Sequence, residues 1–279
     1  MRESFRLLPI VLALLAGAAS AETQQPAKIP RIGLLYQGSC TSSVYKALRQ
    51  GLRDLGYIER QNLLIEERSL ENRYERLPDL VADLVRLKVD VILAAGSTEL
   101  PQAVKNATKM TPIVFVTNDD PVRAGLVTSF PRPGGNMTGF TSLNAELDGK
   151  RLELLKETMP QVGTAIKRGA EALTVLEFPM FFQQLSRIAD LVAKGRLPTV
   201  SAWKELTEAG GLMSYGVDIR EMFRRAAAYV DKILKGAKPA DLPVERSMRA
   251  EFIINLKAAN ALGIKIPPEV LIRADRVIQ

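Results

Sequence analysis

The side chains able to do chemistry in this 279-residue chain gather in short hydroxyl-, glycine- and carboxylate-bearing runs. Each run directly follows an apolar stretch of strand length. Gln37-Gly38-Ser39-Cys40-Thr41-Ser42-Ser43 follows Arg31 to Tyr36, and Ala95-Gly96-Ser97-Thr98 follows Val89 to Ala94. Thr117-Asn118-Asp119-Asp120-Pro121 follows Pro112 to Val116. Later come Phe178-Pro179-Met180-Phe181, Ala202-Trp203 and Tyr215-Gly216-Val217-Asp218. Together they supply hydroxyls, free backbone N–H groups, carboxylates and aromatic rings. Such a set can hold the carboxylate of an amino acid at a helix N-terminus, its ammonium at an aspartate and an apolar side chain against the rings. The candidate ligand-binding residues are therefore Ser39, Thr41, Gly96, Ser97, Thr98, Asp119, Asp120, Tyr215 and Asp218.

Each residue taken singly has a second reading. Ser43, Ser97 and Thr98 have the composition of helix N-caps, and Asp119-Asp120 before Pro121 that of a turn. Trp203 reads equally as core filler and as a ligand platform, and Phe181-Phe182 reads as core. Tyr215 ends an apolar strand at its carboxyl end, which is where a cleft residue stands.

The chemistry excluded is equally informative. Histidine is absent, so Ser-His-Asp triads, Cys-His dyads and histidine-ligated metal sites are ruled out. The single cysteine, Cys40, allows no internal disulfide and has no histidine to activate it. Gly33 to Gly38 has the glycine spacing of a P-loop, but Ser39-Cys40 replace its Lys and Ser/Thr. No G-x-G-x-x-G follows a strand. Glu66-Glu67 are neighbours on a strand and face opposite ways, so they cannot act jointly on one bond. The expectation is a binding protein with no catalytic residue, metal or cofactor.

The elements that position these runs alternate between strand and helix, which argues for parallel sheet with crossover helices. Strands are predicted at Arg31–Tyr36, Asn62–Glu67, Val89–Ala94, Pro112–Val116 and Asn136–Thr141. Helices between them carry Tyr45, Leu48, Leu52 and Leu55, then Leu77, Leu80, Val81, Leu84 and Val85, then Thr98 to Thr108. A helix from about Leu147 to Thr158 precedes a second set. That set comprises strands at Ala172–Leu176, Leu197–Val200 and Gly211–Tyr215, and a helix through Ile188 and Leu191. Asp218 caps a long helix with Ile219, Met222, Phe223, Ala226, Val230 and Ile233 inward and Gly236 closing it.

Residues 1–21 have the form of a secretory signal peptide. Arg2 and Arg6 precede an apolar run, and Ala19-Ser20-Ala21 offers a cleavage site with no lipid-attachment cysteine after it. The expected location is the periplasm. The formal charge of +7 comes from scattered Lys and Arg interleaved with acids, as from Arg68 to Arg76, so solvated helix faces rather than nucleic-acid binding explain it. No later stretch is long and apolar enough to span a membrane.

Several stretches carry a family likeness. They are Asp120-Pro121-Val122 through Ala124-Gly125-Leu126-Val127, Pro133-Gly134-Gly135-Asn136-Met137-Thr138-Gly139, and Gly210-Gly211-Leu212-Met213-Ser214-Tyr215-Gly216. The tail adds Ile233-Leu234-Lys235-Gly236, Pro239, Asp241-Leu242-Pro243, Ile253, Asn255-Leu256-Lys257 and Arg273-Ala274-Asp275. Together these resemble the ABC-transporter substrate-binding proteins of the tryptophan/tyrosine type. The resemblance implies an α/β, two-lobed type I periplasmic-binding-protein-like fold, each lobe a parallel sheet flanked by helices. It also implies a small solute, of which an aromatic amino acid is one candidate, bound in the interlobe cleft by hinge closure, and an importer permease as partner. The helix from Asp218 should return to the first lobe, with Thr141–Ser142 and Tyr215–Gly216 near the hinges. Residues 28–141 plus about 217–236 would form the first lobe, and 142–216 plus about 237–279 the second. One departure stands out. Only Gln161 to Glu171 separate the helix ending near Pro160 from the next strand, so on the order of 40 residues of the family pattern are missing. The second lobe is expected to be reduced, to expose a sheet edge, and to bind weakly or differently. The rival readings are a degenerate non-binding paralogue and a small hydrolase or isomerase on the same architecture.

Overall fold

The computed structural model describes residues 28–38, 43–143, 145–159, 172–176, 181, 184–247 and 250–279. The first sheet is built from β1 (Arg31–Tyr36), β2 (Leu64–Ser69), β3 (Val91–Ala95), β4 (Ile113–Thr117), β5 (Met137–Thr141) and the short β9 (Glu245–Arg246). Its order is β2-β1-β3-β4-β5-β9, and every neighbouring pair is parallel. Strands β3, β4 and β5 are buried along their whole length, which is why their sequences read as unbroken apolar or small-residue runs rather than alternating ones.

Period-two alternation sorts the side chains onto two faces. Ile32, Leu34, Val91, Leu93, Val114 and Phe140 meet α1 (Ser43–Asp54) and the long helix α7 (Ile219–Leu234). Leu35, Ile92, Ala94, Ile113 and Phe115 meet α2 (Leu77–Arg86) and α3 (Glu99–Ala107). Asp218 caps α7, its carboxylate accepting from the Arg220 amide at 2.9 Å. Helix α1 ends at Asp54, so Leu55 falls beyond it and is exposed rather than on the buried face.

The second sheet contains β6 (Leu173–Val175), β7 (Thr199–Ser201), β8 (Met213–Val217), β10 (Ala250–Asn255) and β11 (Arg276–Ile278), in the order β11-β10-β8-β7-β6. One face packs on α4 (Ala145–Thr158), α8 (Leu256–Leu262) and α9 (Pro268–Leu271), through Leu154, Leu155, Phe252, Ala259 and Val270. The other packs on α5 (Leu185–Lys194) and α6 (Lys204–Glu208), through Val175, Leu185, Ala189, Trp203 and Leu206. Leu191, read from the sequence as helical face, points to solvent on α5.

This sheet is mixed rather than wholly parallel, because β10 runs antiparallel to β8. Strand β8 carries the chain out of this lobe and β10 carries it back, so the two neighbours must run in opposite directions. The chain leaves the first sheet for the last time only after Arg246, since β9 pairs with Phe140–Thr141. That return lies about ten residues later than the sequence division near residue 236 placed it. Three crossings therefore join the lobes, after β5, after β8 and after β9. Among the described residues no helix is long and apolar enough to cross a membrane.

Candidate functional site

In parallel sheets the loops beyond the carboxyl ends of the strands form the site, with helix N-termini directed at it. The first sheet brings four of the candidate residues together there. Gly96 closes β3 at φ +140°, a conformation that favours glycine, and a side chain at that position would also crowd Gln37. Ser97 is buried, and its hydroxyl meets the Tyr74 hydroxyl at 3.0 Å. Thr98 stands at the start of α3 without capping it through its side chain. Its hydroxyl instead donates to the Asp119 carboxylate and lies 3.5 Å from the Thr117 hydroxyl. The Asp119 carbonyl accepts from the Thr141 hydroxyl at 2.7 Å, which ties this loop to the first crossing.

Asp120 is different. Its Oδ1 accepts from the amides of Val122 and Arg123, at 2.8 and 3.1 Å, so its carboxylate is spent on a turn. Gln37 is 2% exposed and its Oε1 finds no protein donor. Tyr74, on a short 3-10 turn after β2, was not among the candidates. Applying the carboxyl-end rule to β2 as well would have found it. Ser39 and Thr41 lie outside the described residues, as do Cys40 and Phe182.

The second lobe contributes a nearly filled crevice, with about 10 Å³ of free space, where α1, the β8 crossing and the loop after β7 meet. Val44, Trp203, Lys204, Ser214, Asp218 and Glu251 are among its lining residues. Asp218 pairs with Lys204 at 2.7 Å, and Lys204 also reaches Glu251 at 3.4 Å. Arg220 joins Glu205 at 3.6 Å. Burial opposes ionisation of Asp218, but the Lys204 ammonium donating to it outweighs burial, with help from Arg220, and holds its pKa below the usual carboxylate value. The Lys204 pKa is raised in turn: burial works against its charge, and the hydrogen bond and charge of Asp218, with Glu251, prevail. Asp218 is thus both helix cap and ion-pair partner. Ser214 is 1% exposed, with a hydroxyl that meets no protein partner. None of these charged neighbours was singled out from sequence, because their meeting depends on the crossing and not on local spacing.

The aromatic candidates separate. Trp203 is 3% exposed and packs with Val175, Leu185 and Leu206, so it fills the core beneath the crevice. Tyr215 packs edge-on against Phe252, with ring centroids 6.2 Å apart, on the α4 side of β8. Its carbonyl accepts from Nε of Arg151 at 2.7 Å. Arg151 is fully buried and also pairs with Asp148, so the helix leaving the first crossing is bound to the strand of the second.

Hydroxyls and a carboxylate thus gather at the carboxyl ends of β3 and β4, beside the first crossing between the two α/β lobes. The sequence model of the family described as "ABC transporter substrate binding protein" matches residues 34–167 and 164–278. The chain belongs to the ABC transporter substrate-binding protein family. Membership implies a solute ligand and a transporter permease as partner. This substrate-binding protein is 26% identical over 266 residues to the tyrosine-binding protein of Clostridioides difficile (strain R20291), covering 79% of the chain and 76% of the relative. Its fold is similar to that of a conserved domain protein from Vibrio cholerae, with a TM-score of 0.73, 24% identity, and 90% and 100% of the two chains covered. It is also similar to an ABC domain in complex with L-Trp from Streptococcus pneumonia, with a TM-score of 0.70, 24% identity, and 89% and 99% covered.

The family match falls in two pieces that meet at 164–167, in the stretch where the family pattern falls short. The alignment to the tyrosine-binding relative is longer than the share of this chain that enters it. About 220 residues of the chain (79% of 279) enter its 266 positions, so about 46 of them have no counterpart in this substrate-binding protein.

Proposed function

We propose that this substrate-binding protein is the periplasmic solute receptor of an ABC importer and takes an aromatic amino acid between its lobes. The observation that carries the reading is the polar cluster of Ser97, Thr98 and Asp119 at the carboxyl ends of β3 and β4. The hydroxyls and the start of α3 suit a carboxylate, and Asp119 suits an ammonium. The relative described as tyrosine-binding supports the solute class. Ligand bridging the lobes would shift the open and closed populations, and the permease would read the closed form. The residues of the site serve binding, not turnover.

The test is a thermal-shift series on the purified protein with tyrosine, tryptophan, phenylalanine and aliphatic amino acids. Aromatic amino acids should raise the melting temperature in a saturable way, and aliphatic ones much less. A second reading, a paralogue with a reduced lobe that no longer binds, draws on the two-piece family match. It predicts one cooperative transition that no amino acid moves.

A further inference from the structure

Tyr74 has a fastened hydroxyl and a ring that stays partly open. It stands on the 3-10 turn Tyr74–Arg76 after β2, yet its hydroxyl lies 3.0 Å from that of Ser97, which follows β3. Strands β2 and β3 flank β1 on its two sides, so they are two strand spacings apart, about 9.5 Å. To reach Ser97, the Tyr74 side chain must lie across the carboxyl end of β1. Gln37, the residue that follows β1, is accordingly buried. Ser97 is buried as well, so the anchor is a fixed point, while the Tyr74 ring remains 36% exposed. With the sheet on one side of the ring, its open side faces away from the strand ends, where a solute between the lobes would lie. Other rings are already taken up: Trp203 by the core, Tyr215 by Phe252, and Tyr36 and Tyr45 by each other at 4.7 Å.

We propose that Tyr74 is a specificity-determining residue of the solute site, its ring being the platform on which the solute's aromatic side chain lies. The inference rests on the reading of Thr98 and Asp119 as the partners of an amino acid's charged groups. Ser97 and Thr98 are consecutive, so the anchor of the ring and the polar pair stand side by side on the sheet edge. From β4, which positions Asp119, to β1 is again two strand spacings, about 9.5 Å. An aromatic amino acid laid along that edge fills the span, with its ammonium at Asp119 and its ring over Tyr74. Offset stacking of two rings adds attraction beyond the area they cover, and an aliphatic side chain gains only from the area. Because the hydroxyl is already held, the platform loses little side-chain freedom when the solute settles on it.

The test is calorimetric titration of the purified full chain, Tyr74→Leu and Tyr74→Phe with L-tyrosine, L-phenylalanine and L-leucine. The parent should prefer the two aromatic solutes. Tyr74→Leu keeps apolar bulk without the ring, and should bind phenylalanine about five-fold or more weakly with its leucine affinity essentially unchanged. Tyr74→Phe keeps the ring and loses only the anchor, so its preference for aromatic solutes should persist. Thermal melts of both variants, expected close to the parent because the position is partly exposed, separate lost affinity from lost fold. A Tyr74→Leu protein that still prefers phenylalanine to leucine as the parent does overturns this inference and leaves the amino-acid reading standing. So does an equal loss for phenylalanine and leucine, which marks a structural role. A parent that binds no aromatic amino acid overturns both.

Discussion

Gly216 makes the sharpest demand in the hinge. It ends β8 beside the Ala202 backbone, and a Cβ placed on it would lie 2.0 Å from the Ala202 carbonyl oxygen and 2.9 Å from its carbon. Cβ atoms essentially never approach another heavy atom within 3.0 Å. The Gly216→Ala variant must therefore separate two backbone segments by about 1 Å, with no flexible side-chain end to give way. Overpacking of this kind costs about 1–3 kcal/mol, and a backbone-on-backbone clash belongs at the upper end. In a chain of this size each kcal/mol lowers the melting temperature by about 2–4 °C, so a fall of about 6–12 °C is expected. The companion variant is Gly149→Ala. Gly149 is exposed within α4 and has nothing within 4 Å of the added carbon. There alanine should stabilise by about 0.5–1 kcal/mol through helix propensity. Far-UV circular dichroism melts of both variants beside the parent give the comparison. Equal melting of Gly216→Ala and parent would refute the claim that close backbone approach fixes this crossing.

Further outcomes follow from the same geometry. Asp119→Asn and Thr98→Val should each weaken aromatic amino-acid binding about ten-fold or more in calorimetric titration, the loss expected for a hydrogen bond to a charged group. Asp120→Ala should instead lower stability by about 1 kcal/mol and leave the affinity unchanged, because that carboxylate serves two turn amides. Tyr57 donates to Asp231 on α7 at 3.0 Å, and burial, then that bond and charge, push its pKa up from 10.0 to about 12. A raised folded-state pKa gives stability that is complete below 10.0 and lost as pH rises from there toward 12. Urea midpoints across that window should fall for the parent and stay flatter for Tyr57→Phe. Asp218 has a lowered folded-state pKa, so its contribution is intact above 3.8 and disappears as pH falls through the folded value. Acid titration of Asp218→Asn should show a shallower decline than the parent.

The first sheet was legible because β1, β3, β4 and β5 are short apolar runs separated by amphipathic helices, and burial on both faces writes itself into such runs. The cap at Asp218 was legible for a local reason, since a side-chain oxygen two residues from the amide it satisfies needs no tertiary knowledge. The tail was not. Glu245–Arg246 is two residues long, and only its pairing with Phe140–Thr141 makes it a strand. Residues 250–255 pair antiparallel with β8 because of the route the chain takes between lobes, which no local pattern records. Of the site, Ser97, Thr98 and Asp119 were within reach because they follow strands. The roles of Asp119 and Asp120 were not separable, since both stand before Pro121 and differ only in which donors reach them. The ion pairs of Lys204 with Asp218 and Glu251 span distant parts of the chain.

The position of α7 has a consequence for how the molecule is made. It shares one face of the first sheet with α1 and lies over β3, β4 and β5, yet it is encoded after every strand of that sheet but β9, and after most of the second lobe. A growing chain that has reached Val217 possesses β1 to β5 and α1, but leaves Val114, Phe140 and their neighbours without the helix that shields them. The first lobe is therefore completed only once β9 is made, after β6 to β8 of the second lobe and before its β10 and β11. Until residue 234 emerges, those apolar side chains of the nascent chain lack the helix that buries them in the folded protein.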